Sequence, residues 1–106
     1  MPTTVRTIAR YPTAGGNTVD IVLTETPAEP TTVTIGFLSE TRECLHLILT
    51  ATCSGCGNQH TADNDGRTFA EDRDHELRAH SRFAQGPRRW AQLHAEQCPA
   101  TPNPTA

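Results

Sequence analysis

The chain has 106 residues, a formal net charge of −3, 35% hydrophobic and 5% aromatic residues, which is the size of one domain with a thin core. Its basic residues are nine arginines and no lysine, against twelve carboxylates, and this excludes the broad cationic surface that gives nucleic-acid binding most of its affinity. No apolar run approaches the roughly 20 residues of a membrane span, and Met1–Arg6 lacks the charged-then-apolar order of an export signal. A cytoplasmic protein is expected, and in a reducing compartment cysteines are metal ligands or free thiols more often than disulfides.

In chain order, Val5 to Tyr11 reads as a first strand ended by Pro12. Pro12–Asn17 holds the Pro, Gly and Asn that tight turns require. In Thr18–Thr24, Val19, Ile21 and Leu23 alternate with polar residues, the period of a half-buried strand, so the first two strands form a hairpin. Glu25–Pro30 is a loop carrying two prolines, and Thr31–Leu38 is a third strand with Val33, Ile35 and Phe37 on one face. After a polar connection at Ser39–Glu43, the most apolar stretch of the chain, Cys44–Thr52, is expected to be a fourth strand covered at least in part on both faces. It delivers Cys53 from its end.

Cys53–Gly57 forms a knuckle turn. Asn58–Ala62 and Gly66–Phe69 are expected to pair across Asp63-Asn-Asp-Gly66. Thr68-Phe-Ala-Glu71 has the form of a capping box, so a helix should start near Phe69, with Asp72 and Asp74 at its positive end and Asp74–Arg78 spaced i,i+4. Gly86 fits the end of that helix and Pro87 the start of a second, running to about Gln97, where Pro99 stops it. The expected fold class is therefore α+β: a four-stranded antiparallel sheet followed by a zinc knuckle and two C-terminal helices. The domain spans 1–98, and 99–106 is expected to be a disordered tail.

One pattern stands out. Cys53-x2-Cys56 and, much later, His94-x3-Cys98 make up a full set of four donors for one tetrahedral Zn²⁺. A C-x2-C turn brings two thiolates together while amides after the first cysteine donate to sulfur. Gly57 then permits the positive φ that closes the turn. On a helix, residues at i and i+4 lie one above the other, so His94 and Cys98 present two further donors. With thiolates and imidazole filling four positions, none is left open for a reactive water, and a structural role is expected. A structural zinc contributes on the order of 10 kcal/mol of apparent binding free energy, which a thin-cored domain needs.

Competing readings are weaker on their own chemistry. A thioredoxin-like dithiol needs a helix directly after C-x-x-C, and Gly57-Asn-Gln-His60 does not start one. A zinc deaminase needs H-x-E before P-C-x-x-C, but here His94-Ala-Glu96 follows the cysteines and the Pro is missing. Asp63, Asp65 and Gly66 echo a calcium loop, yet Thr61 and Asp72 stand where an Asp and a bidentate Glu are wanted. Cys44 and His46 share a face only if both sit in one strand, and no second pair accompanies them. His60, His75 and His80 have no ligand spacing and read as surface or boundary residues. Arg82, Arg88 and Arg89 give the late helix a basic component and are the candidate nucleic-acid contacts, with a solvated, salt-bridged face as the plainer reading.

The motif Cys53-Ser-Gly-Cys56-Gly57 with Trp90-Ala-Gln-Leu-His94-Ala-Glu-Gln-Cys98-Pro99 resembles small actinobacterial proteins, often phage- or mobile-element-associated, with a C-x-x-C-G knuckle and a W-A-x-x-H-x-x-x-C-P helix. The all-arginine basic set and abundant Ala, Thr and Pro agree with a GC-rich origin. The resemblance covers the C-terminal half. It implies the same four ligands, and that family brings no established activity. The helix-borne pair is also similar to zinc fingers of the CCHC and C2H2 kind, from which the 37-residue gap departs. The expected function is a non-enzymatic zinc-stabilised interaction module with an unidentified macromolecular partner, protein ahead of nucleic acid and not a membrane. The alternative is a nucleic-acid-binding regulator of a phage or mobile element. No nucleophile–base pair supports an enzyme.

Overall fold

The computed structural model describes residues 3–64, 68–78 and 81–99, and in it the strands form two antiparallel sheets with one long helix packed on the larger. The larger sheet is built from β1 (Thr4–Pro12), β2 (Thr18–Glu25), β5 (Leu47–Cys53) and β6 (Gln59–Asp63), in the order β1-β2-β5-β6. The smaller has β3 (Glu29–Ile35), β4 (Leu38–Leu45) and the two-residue β7 (Thr68–Phe69), in the order β3-β4-β7. A 3₁₀ turn at Ala70–Asp72 leads into the short α1 (Arg73–Glu76), and α2 (Arg82–Gln97) ends the fold.

The α+β class and the first hairpin follow the sequence reading. The single sheet does not. The third expected strand leaves for a second sheet, and the stretch taken as a polar connection at 39–43 lies inside β4. Gly36, at φ 62°, takes the first place of the two-residue turn between Ile35 and Leu38, where hairpin turns of the primed types call for positive φ. Much of the hairpin is solvated on both faces, so β4 shows no apolar alternation to read. The expected strand 44–52 is also split. The chain passes from one sheet to the other at His46, whose N–H donates to Thr26 Oγ1 (2.8 Å) and whose carbonyl accepts from Thr26 N (3.0 Å).

The register explains the core. Val19 lies opposite Cys53, Ile21 opposite Ala51 and Leu23 opposite Leu49, so one face of the central β2–β5 pair is apolar. Against it α2 sets Phe83, Ala84, Pro87, Ala91 and Ala95, and Cys98 follows just beyond its end, all buried. The alternate residues Ile48, Thr50 and Thr52 are half-buried on the other face, so β5 is fully covered on one side and partly on the other, as its near-continuous apolarity indicated.

The helical region also differs from expectation. Thr68 belongs to β7, and its hydroxyl accepts from the Asn64 side-chain amide instead of capping a helix. The long first helix reduces to the 3₁₀ turn and four residues of α1, and His80 lies outside the described residues. The expected hairpin of 58–62 with 66–69 is replaced by pairing of β6 with β5 and of β7 with β4. Nor do Gly86 and Pro87 separate two helices, for α2 runs through both. Its start is fixed at Ser81, which is extended and accepts from Ala84 N at 3.0 Å. An interior proline loses one i→i−4 bond, at a cost of about 3 kcal/mol. Pro87 is among the most completely buried side chains, and packing of its ring on the sheet offsets part of this. Residues 100–106 of the expected tail lie outside the described residues.

A bidentate pair holds α1 to the body. Arg73 Nε and Nη2 donate to Glu25 Oε2 and Oε1 at 2.7 and 2.6 Å, with the side chains 26% and 17% exposed. The Glu25 carboxylate, aided by Asp74 and opposed by burial, raises the Arg73 pKa. Arg73→Ala is expected to lower stability by about 1–2 kcal/mol, between the values for exposed and fully buried pairs. Arg73→Lys, which keeps the charge without the planar fork, should recover less than half of that loss in urea denaturation midpoints.

Candidate metal centre

Cys53 is the last residue of β5, buried on the face that α2 covers. The chain then folds back on itself: Gly57 N donates to Cys53 O at 2.8 Å and Cys53 N to Asn58 O at 3.0 Å, with Gly57 at φ 79° as its place in the knuckle requires. Two bonds pin this turn to the start of β2, Ser54 N to Thr18 O (2.9 Å) and Thr18 N to Ser54 Oγ (3.1 Å). The knuckle is thereby an extension of the sheet, and Cys56 projects from it at the exposed rim.

The other two donors come from the end of α2. His94 is in its last turn, and Cys98 is the first residue beyond it, with φ −75° and ψ 111° and its N–H still bonded to His94 O at 2.8 Å. A further bond, Ala14 N to Ala95 O at 2.9 Å, ties this last turn to the β1–β2 loop. Two elements, each fixed by its own backbone bonds, therefore meet at one point.

There the donor atoms of Cys53, Cys56, His94 and Cys98 all lie within 4.8 Å of one another. Cys53 Sγ and Cys98 Sγ are 3.8 Å apart, and Cys56 Sγ is 3.1 Å from His94 Nε2. Zn–S bonds of about 2.3 Å in a tetrahedron place two sulfurs roughly 3.8 Å apart, and a sulfur and an imidazole nitrogen roughly 3.6 Å apart. The first edge fits as it stands and the second needs a shift of under about half an ångström. The sulfurs are too far apart for a disulfide, whose bond is about 2.05 Å, and none of the four cysteines is in one. The cluster can hold a metal ion, and its soft donor set suits zinc better than calcium or magnesium.

The local electrostatics favour a thiolate at Cys53. Burial pushes its thiol up, but the N–H groups of Cys56 and Gly55 donate to the sulfur and the side chains of Cys56 and His94 add to them, and the net result is a fall from 9.0 to about 7.

An aromatic stack supports the histidine. Trp90, one turn before His94, lies on its ring with centroids 4.6 Å apart and planes 10° from parallel. Trp90 also stacks with His60, at 6.1 Å and 16°. His60 is half-buried, as a boundary histidine should be, and it also joins this stack. It pairs with Ala51 in register, which puts it on the covered face of the sheet. Gly86 lies beside this ring: a Cβ there would stand 3.4 Å from His60 Nε2, an ordinary van der Waals contact. The helix rung Gly86, Trp90, His94, Cys98, each four residues from the next, carries the signal for this stack.

The remaining candidates stay apart from the cluster. Cys44 is buried at the base of β4, and His46 Nε2 sits 2.5 Å from Asp63 Oδ1. That bond accounts for Asp63, and Asp65 and Gly66 lie outside the described residues. Arg82 and Arg89 are exposed on α2, while Arg88 is half-buried and reaches Tyr11 Oη at 3.4 Å. These arginines line a shallow groove with Gln92, Leu93 and Glu96, whose carboxylate interrupts the basic face. Among the described residues no helix is long and apolar enough to cross a membrane. Comparison with protein-family models, with curated proteins and with solved structures finds no match to this chain.

Proposed function

We propose that this is a non-enzymatic zinc-binding interaction module in which a structural Zn²⁺ joins the end of α2 to the end of β5. The observation that carries the reading is the convergence of four donor atoms within 4.8 Å from two independently fixed elements. Cys53, Cys56, His94 and Cys98 would hold the ion, and bound zinc would supply cross-linking of the fold. With all four positions taken by protein, substrate has no place on the metal, which favours a structural role over catalysis.

A nucleic-acid-binding regulator of a phage or mobile element is the second reading. Exposure of Arg82 and Arg89, neither paired with a carboxylate among the described residues, favours it. Glu96 in the same groove and the net charge of −3 weigh against it.

Cobalt substitution tests the coordination. The Co²⁺ form is expected to show intense tetrahedral d–d bands and thiolate-to-metal charge transfer, with quenching of Trp90, the only tryptophan, through its stack on His94. Weak octahedral bands and unchanged Trp90 emission would contradict a closed site of sulfur and imidazole.

A further inference from the structure

The β3–β4 hairpin is an arm. It spans Glu29 to Leu45 and contributes to a molecule measuring 58 × 27 × 17 Å. The radius of gyration is 16.8 Å, against about 13 Å for a compact domain of this length. At its tip Ile35, Phe37 and Leu38 are 64%, 106% and 77% exposed, so they pack on little of their own chain. Cross-strand register sets Ile35 opposite Leu38 and Val33 opposite Glu40 on one face, and Thr34 opposite Ser39 and Thr32 opposite Thr41 on the other. The arm therefore has an apolar end with a carboxylate just behind it, and a hydroxyl-rich back.

Its base is anchored. β7 pairs with β4 at Cys44 and Leu45, and the Arg42 guanidinium lies 3.8 Å over the Phe69 ring while pairing with Glu71. A lone hairpin is marginal in water, and these contacts hold it out from the body. Clustered apolar side chains at such an extremity mark a contact surface.

The charges select the occupant. The arm carries Glu29, Glu40 and Glu43 against Arg42 alone, and Arg42 is already engaged by Glu40 and Glu71. An anionic membrane or a nucleic acid would be repelled. A cationic protein surface with an apolar seat fits. This chain owns one, for the outer groove of α2 holds Arg82, Arg88 and Arg89 against Glu96, with Leu93 50% exposed among them.

We propose that the apolar tip of the β3–β4 arm of one copy docks in the arginine-lined groove of α2 of a second copy, with Glu40 facing Arg82 and Arg89. This names a partner for the interaction-module reading, and rests on that reading for the fold but not on the identity of the metal. Arm and groove are different surfaces, so the contact is head-to-tail and repeats into a ring or an open filament.

The test uses the full chain, metal content measured alongside, in light scattering coupled to size exclusion over a range of concentrations. Wild type is expected to exceed the monomer mass increasingly with concentration. Phe37→Ser/Leu38→Ser alters only exposed tip residues, and Arg89→Glu/Leu93→Ser alters only the outer face of α2. Each variant alone should remain monomeric, with apparent affinity weakened at least about tenfold. Mixed together they should stop at a dimer, since one supplies the intact groove and the other the intact arm. Wild type that stays monomeric at the highest attainable concentration overturns the proposal. So does a groove variant that still self-associates, which would place arm against arm. Metal content separates these outcomes from failure of the zinc reading, because either assembly result can be obtained with or without stoichiometric zinc.

Discussion

Replacing Cys98 by Ser is expected to remove bound zinc and to lower stability by about 4 kcal/mol or more, the scale of effect that loss of a structural metal produces. For a domain of this size that is a fall of roughly 15–30 °C in Tm. The reason lies in the position of Cys98. It is buried at the junction of α2 and the sheet, 3.8 Å from Cys53 Sγ. A hydroxyl there is a poorer ligand for zinc than a thiolate. Chelation of wild type should reproduce the loss, and added zinc should reverse it in wild type but not in the variant. Cys56→Ser should be milder, because Cys56 is exposed and water can take its place at the rim. Calorimetry with and without chelator measures each difference. Equal melting temperatures for wild type and Cys98→Ser would remove the metal from the folding account.

Leu49→Ala is expected to cost about 3 kcal/mol, within the 2–5 kcal/mol range for large-to-small core substitutions, and to leave zinc stoichiometry unchanged. Leu49 is 1% exposed, with Leu23 and Ala62 as its register neighbours, on the sheet face that α2 covers. Truncation leaves a cavity between sheet and helix while the knuckle and the last turn of α2 keep their own backbone bonds. The contrast with Cys98→Ser separates the two sources of cohesion: one variant loses packing and keeps metal, the other loses both. Denaturant midpoints with metal analysis on the same samples check it. Zinc lost in parallel with stability in Leu49→Ala would mean that the site is merely a consequence of the core.

How much of this was legible in the sequence depended on which force left a mark. The four donors were legible because their spacings, C-x2-C and H-x3-C, follow from turn and helix geometry, and the fold brings those four residues together. The β1–β2 hairpin was legible because Val19, Ile21 and Leu23 alternate on a face that is buried. β4 was not, because a strand solvated over much of its length needs no apolar alternation, and Ser39–Glu43 resembles a loop for that reason. The sheet change at His46 left no trace either, since apolar residues continue on both sides of it and the break rests on bonds to Thr26, twenty residues away. At Gly86-Pro87 local propensity pointed to a boundary, and tertiary packing prevailed: Ser81 sets the helix start and Pro87 fills the interface. The place of His60 in the stack escaped notice because it depends on pairing with Ala51 and not on any spacing to other histidines.

The central claim is that one metal ion closes the junction between β5 and α2, and metal analysis of wild-type protein purified under reducing conditions tests it most directly. The account predicts about one zinc per folded chain, held by the Cys53, Cys56, His94 and Cys98 donors. A folded, monodisperse wild type carrying no near-stoichiometric zinc would contradict it.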